Sequence, residues 1–215
     1  MKVEIKEHFK SLKKINSNSL MTLIAIFVSA CVSRPSFSQD LSPDALFYFE
    51  GNQKIPLVLE SGIVADFGGN NSSSRNVKSA VQKVDQSAEL IKTSGIVNLW
   101  KTNGKDGSIG VSKTLNDSNQ NGYSPVFKTV KGSTLLALPG NIIVELEPSI
   151  SQKQAEVFFG SKGLRIFKKL ELGDRNFYEV ETPAGAASLN LANSLVGQPG
   201  VISSTPNWWR EVTAK

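Results

Sequence analysis

The chain has 215 residues, with 24 Lys and Arg against 19 Asp and Glu and a formal charge of +5. The excess sits at the front: residues 1–38 hold Lys2, Lys6, Lys10, Lys13, Lys14 and Arg34 but only Glu4 and Glu7, so residues 39–215 carry 18 bases and 17 acids. That near-neutral remainder offers no basic field for nucleic acid. His8 and Cys31 are the single histidine and cysteine, so a chain starting at Gln39 excludes a Ser-His-Asp triad, a Cys-His pair, a histidine or thiolate metal site and a disulfide.

In chain order, residues 1–38 have the layout of an export signal. Five lysines precede an apolar run, Leu20 to Ala30, too short to span a bilayer as a stable anchor. Two cleavage readings compete. Ser36-Phe37-Ser38 places small residues where an ordinary signal peptidase needs them, giving Gln39 as the first mature residue. Val28-Ser29-Ala30-Cys31 resembles a bacterial lipobox, which makes Cys31 the candidate lipidation site and the membrane a partner only in that case. The polar segment left before Gln39 favours plain cleavage after Ser38. Both readings place the chain outside the cytoplasm, in the periplasm or secreted.

Residues 39–138 read as a β-rich lobe. "ALFYFEG" and "KIPLVLE" flank Asn52-Gln53 as a hairpin or corner, and "GIVADFG" is a third strand. "GGNNSSS" is a Gly/Ser-rich loop, with no lysine-bearing helix start after it to make a phosphate cradle. "SSRNVKSAVQKVDQSAELIKTSG" predicts the main helix, capped by Ser74, with Val77, Val81, Val84, Ala88 and Ile91 on one face and Gly95 as the stop. "IVNLWK" and "SIGVSKTL" around "TNGKDG" predict a hairpin from the Asn-Gly and Asp-Gly pairs, with Trp100 in the core or in the hairpin's packing. "SNQNGYSPVFKTV" continues the strand rhythm.

The second half is more regular. "GNIIVELEP" is a strand, with Ile142, Val144 and Leu146 alternating against Ile143, Glu145 and Glu147. Glu145 and Glu147 share a strand face that reads as solvated. Carboxylates could in principle serve glycosidase-like chemistry, but no distinctive pair stands out, and the sequence predicts neither an enzyme nor a cofactor. "SISQKQAEVFFGSKG" is a helix capped by Ser149 or Ser151 and stopped at Gly163; "LRIFKKLEL", "GDR" and "NFYEVETP" are strand, turn and strand. Arg165, Lys168 and Lys169 read as a solvated or edge-protecting set. "AGAASLNLANSLVGQPG" is a helix burying Ala187, Leu191, Ala192 and Leu195, and "VISSTP" is the last strand. The class is α+β, and residues 139–207 have the order β-α-β-β-α-β of a ferredoxin-like unit. Residues 208–215 form an extended tail.

Residues 139–207 resemble the N-terminal propeptide, or inhibitor, domain of subtilisin-like serine proteases. The resemblance rests on Glu147-Pro148 closing the first strand and on Gly163-Leu164 before the second. It rests further on the ending built from Leu195, Pro199, Gly200, Val201, Ser204, Pro206 and Asn207, with Ser204 where the family has Ala. "FYFEGNQKIPLVLESGIVADF" is similar to the segment preceding such propeptides in large bacterial subtilases, and residues 69–138 match only weakly. Eight residues follow Asn207, with no catalytic blocks, so the chain is similar to the free-standing inhibitors and external chaperones of kexin-like bacterial proteases.

That resemblance implies a subtilisin-like or kexin-like serine protease as partner, the open sheet face docking on it and the tail lying in its substrate cleft. Trp208 and Trp209 would be anchors, Val212, Thr213 and Ala214 would line the cleft, and Lys215 would enter the specificity pocket. A competing reading folds both tryptophans back onto their own sheet and leaves Lys215 as a frayed end. Two other functions stay open: a non-catalytic cell-envelope binding or structural protein, and a truncated or split subtilase precursor.

Overall fold

The computed structural model describes residue 37, residue 40 and residues 46–68, 79–103, 107–118 and 122–212. Phe47–Glu50 (β1) and the start of Gln53–Asp66 (β2) pair antiparallel across the turn Gly51-Asn52. The two strands expected over "KIPLVLE" and "GIVADFG" are one strand, whose register against its neighbour shifts between Glu60 and Val64. An irregularity of this kind bends a strand without ending it.

The long helix expected after residue 74 is corrected. Its proposed start lies outside the described residues; the part seen is one short helix, Ala80–Val84 (α1), closed by a capping box between Ser79 and Gln82. Asp85 ends it, because its carboxylate accepts from the backbone N–H and the hydroxyl of Ser87 and from the N–H of Asn103. A side chain that ties up local backbone in this way competes with helix continuation. The chain then forms the hairpin Glu89–Ser94 (β3) and Val97–Lys101 (β4). Gly95 does take the left-handed conformation, with φ of 62°, but in a strand turn rather than at a helix end.

The hairpin expected around "TNGKDG" is corrected as well. "VNLWK" is a strand, but Gly107–Asp117 is a helix (α2). It buries Ser108, Val111, Ser112, Leu115 and Asn116, a three-and-four spacing that the two turn-forming dipeptides outweighed in the sequence reading. Asn116 then fastens the helix: its amide donates to the carbonyls of Tyr123 and Ala184, and its carbonyl accepts from the N–H of Tyr123.

Tyr123–Thr129 (β5) and Leu136–Ala137 (β6) continue the first sheet, whose order is β11-β6-β5-β2-β4-β3 with β1 also on β2; β11 is Trp209–Arg210. Laid flat, its outermost strands would stand about 24 Å apart at the usual strand spacing. Yet Lys92 on β3 and Glu211, just after β11, form an ion pair, so the sheet is rolled towards a barrel. Inside lie Ala65, Val97, Leu99, Val126 and Ala137 with Trp209. α1 and α2 cover another part of the sheet through Val81, Val111 and Leu115.

The second sheet follows the expected order of elements: Ile142–Leu146 (β7), helix Gln152–Ser161 (α3), Ile166–Leu172 (β8), Arg175–Val180 (β9), helix Ala186–Leu195 (α4) and Val201–Pro206 (β10). All pairings are antiparallel in the order β10-β7-β9-β8. Ser151 caps α3 in a second capping box with Gln154. Ala155 and Phe159 from α3 and Ala192 and Leu195 from α4 meet Ile142, Val144, Leu146, Tyr178 and Val180 in one cluster, so both helices cover the same face. The class is α+β, with mostly antiparallel sheets.

Phe159 is fully buried and lies edge-on to Tyr178 at 5.8 Å. Phe159→Ala is expected to lower unfolding free energy by about 3–5 kcal/mol in a urea titration. Val157→Ala, on the exposed side of the same helix, should shift it by no more than about 0.5 kcal/mol. Equal losses at the two positions would place the core of this helix elsewhere.

Candidate protein interface

With both helices on one face of the second sheet, the pleat sends every other residue of its strands to the opposite face. β7 contributes Ile143 and Glu145, β9 contributes Arg175, Phe177 and Glu179, and the registers set Lys168, Leu170 and Leu172 of β8 and Ser203 and Thr205 of β10 beside them. Ile143, Phe177 and Leu170 are half-buried, and Leu172 is exposed.

The charges on this face are held in pairs. Glu145 is only 5% exposed. It accepts from Nε and Nη2 of Arg175 at 2.7 and 2.6 Å and from the Ser203 hydroxyl. The hydrogen bond to Glu145 raises the pKa of Arg175. The Arg175 guanidinium also lies 4.5 Å from the Phe177 ring centre, a cation–π placement that fixes its plane. Glu179 receives Lys168 Nζ at 3.2 Å and Asn141 Nδ2 at 2.8 Å. The expectation of two solvated glutamates therefore holds for Glu147, which is exposed, and is corrected for Glu145. The reason is Arg175, which the β7–β9 register carries to it from 30 residues away. Arg165, Lys168 and Lys169 are exposed, and β8 is an edge strand, as expected; Lys168 and Arg165 additionally pair with Glu179 and Glu181.

The segment after β10 does not hang free. The Asn207 N–H donates to the Asn141 carbonyl. The Trp208 ring packs edge-on to Tyr48 at 5.1 Å and to Phe127 at 6.4 Å. Trp209 pairs with Ala137 in register and lies 6.4 Å from Phe67. Both rings pack against their own chain, as the fold-back reading has it, and each stays partly exposed. The physical cause is the extended path into β11, which sends Trp208 and Trp209 to opposite sides of the first sheet. Val212, at 85% exposure, is the first residue past this attachment. Thr213, Ala214, Lys215 and Cys31 lie outside the described residues.

The sequence reading missed Arg175, Phe177, Glu179, Lys92 and Glu211. Opposite charges on strands of alternating pattern were the available signal, but only strand pairing shows which of them meet. Elsewhere, Asp66 and Tyr123 face each other across β2 and β5. Burial raises the Asp66 carboxyl, against the opposing pull of the Gly68 N–H and the Trp100 indole. Burial and the neighbouring Asp66 push Tyr123 up to about 12. Among the described residues no group of three or more His, Cys, Asp or Glu side chains is placed to hold a metal ion.

Because folded Tyr123 keeps its proton above the ordinary value of 10.0, its contribution to stability is complete below that pH. It is lost as pH rises from 10.0 towards about 12. Urea midpoints measured across this window should fall more steeply for the wild type than for Tyr123→Phe; parallel curves would remove Tyr123 as the cause. A chain ending at Glu211 should unfold at the wild-type midpoint, whereas one ending at Asn207 loses both indole rings and should be less stable by about 3 kcal/mol or more. No family model, curated protein or solved structure matches this chain, so the face and the tail are interpreted on their own geometry.

Proposed function

We propose that residues 39–215 act outside the cytoplasm as an intermolecular chaperone, an inhibitor, or both, for a subtilisin-like or kexin-like serine protease. The second sheet is read as a ferredoxin-like unit of the propeptide kind, and residues 1–38 as its export leader. The observation that carries this reading is the face of the second sheet opposite its helices, over which no described helix or strand lies. It combines apolar side chains with charges already neutralised in pairs, and it adjoins β10, from which the chain runs on through Trp208 and Trp209 to the exposed Val212.

The physics of the role follows from that pairing. A face whose carboxylates are already matched by Arg175 and Lys168 is desolvated at lower cost than one carrying free charges. Ile143, Phe177, Leu170 and Leu172 then supply the apolar area that drives association. Residues 212–215 add as an extended strand in the substrate cleft, where main-chain hydrogen bonds give affinity and side-chain pockets give specificity, with Lys215 in the first pocket. A partner that binds only the native protease also stabilises it relative to unfolded competitors, which is the basis of a chaperone role.

The test is titration of the chain against a panel of subtilisin-like and kexin-like proteases. Inhibition should weaken by about a hundred-fold in a chain ending at Glu211, equivalent to about 2.7 kcal/mol. Leu172→Asp, at an exposed position of the face, should weaken it without changing thermal stability. Lys215→Ala should weaken inhibition most for proteases that cut after basic residues. Failure of the intact chain to bind any member, or to raise the refolding yield of a denatured protease, would leave a cell-envelope binding role as the better account.

A further inference from the structure

We infer that the first sheet is the holder of the C-terminal segment, and that the ion pair Lys92–Glu211 is the fastener that fixes where the tail leaves the fold. β11 has two residues and two register partners, Trp209 with Ala137 and Arg210 with Leu136. A strand so short and so sparsely paired does not hold itself. Four contacts hold it instead. Trp208 enters the cluster of Tyr48, Leu57, Phe127 and Leu189. Trp209 enters the interior cluster of Ala65, Val97 and Leu99. The Glu211 N–H donates to the Leu135 carbonyl, one residue beyond the ladder. The Glu211 carboxylate, its side chain 11% exposed, meets Lys92 from the far edge of the sheet.

Attachment therefore changes over a single residue: Glu211 is tied at both backbone and side chain, and Val212 is 85% exposed. A partner that reads the chain beyond Glu211 does not have to order residues 208–211, which the fold already holds. Each residue already fixed spares the partner its ordering entropy. In this arrangement Lys92 and Glu211 are positioning residues, and the first sheet sets the exit of the segment that meets the protease. The consequence for inhibition rests on the protease reading above; the fastening itself does not.

The experiment uses the full chain and three variants: Lys92→Gln, Lys92→Glu and the charge swap Lys92→Glu with Glu211→Lys. Backbone hydrogen exchange of the segment from Trp208 onward, read by mass spectrometry, reports the fastening whether or not any protease binds. Expected is exchange about ten-fold faster at residues 209–211 in Lys92→Glu and less so in Lys92→Gln, with β7 and β9 unchanged and protection restored in the swap. Exchange unaltered by Lys92→Glu, or not restored by the swap, overturns the inference.

Against any protease that the wild type inhibits, Lys92→Glu should weaken inhibition about ten-fold and the swap should recover it. Looser exchange with unchanged inhibition overturns the positioning role. If the wild type inhibits none, the protease reading fails alone, and the exchange data still decide the fastener.

Discussion

The fold depends on α4 being buried on two sides at once. Ala192 and Leu195 pack into the core of the second sheet, while Leu189 packs with Tyr48, Leu57 and Phe127 of the first. A helix serving two sheets must let both approach closely, and its sequence is suited to that. Ala186, Ala187 and Ser188 open it, all nearly fully buried, with the Ser188 hydroxyl satisfied by the Gly185 carbonyl. Gly185 in turn donates its N–H to the Leu138 carbonyl, and Asn116 reaches across to the Ala184 carbonyl. The entry to this helix is thus hydrogen-bonded to the first sheet before the helix begins. The two halves of the chain share a core and do not fold as beads joined by a linker.

That shared core gives the C-terminal segment its place. β10 runs along β7 at the edge of the second sheet, and the next residues cross to the first, where the two indole rings are taken up on opposite sides. Aromatic rings contribute large buried area at small entropic cost, and here that area serves the protein's own fold. At the seam of the rolled first sheet Lys92 and Glu211 form an ion pair, beside the packing of Trp209 on Val97 and Leu99. Exposed pairs contribute little, but Glu211 is well shielded and its partner arrives from the opposite strand, so the pair sets geometry more than stability.

The outer face of the second sheet follows a different logic. Ile143, Leu170 and Phe177 on it are half-covered, Leu172 is exposed, and its acids are matched by a guanidinium and an ammonium within hydrogen-bond reach. Arg175 is held by Glu145 on one side and by the Phe177 ring on the other. Such a face is soluble when alone and cheap to desolvate against a partner, which a face of free carboxylates is not.

Much of this protein was determined by sequence alone where local signals agree with one another. From residue 139 to 206 every strand and helix lies where alternation, caps and glycine stops put it, because Ser151 with Gln154, Gly163 and the period-two runs all point to one state at each place. Before residue 139 the local signals conflict. Val81, Val84, Ala88 and Ile91 fit a helix face, yet Asp85 turns the chain and β4 recruits Glu89–Ser94 as a strand. Asn-Gly and Asp-Gly suggest a hairpin, yet burial against β2 and β5 makes the following residues a helix. Tertiary structure alone decided those cases, and it alone decided the pairings of Glu145 with Arg175 and of Glu211 with Lys92 and the inward turn of Trp208 and Trp209. Each depends on residues far apart in sequence meeting across a sheet, and the free energy of such meetings comes from burial, which no local window of sequence contains.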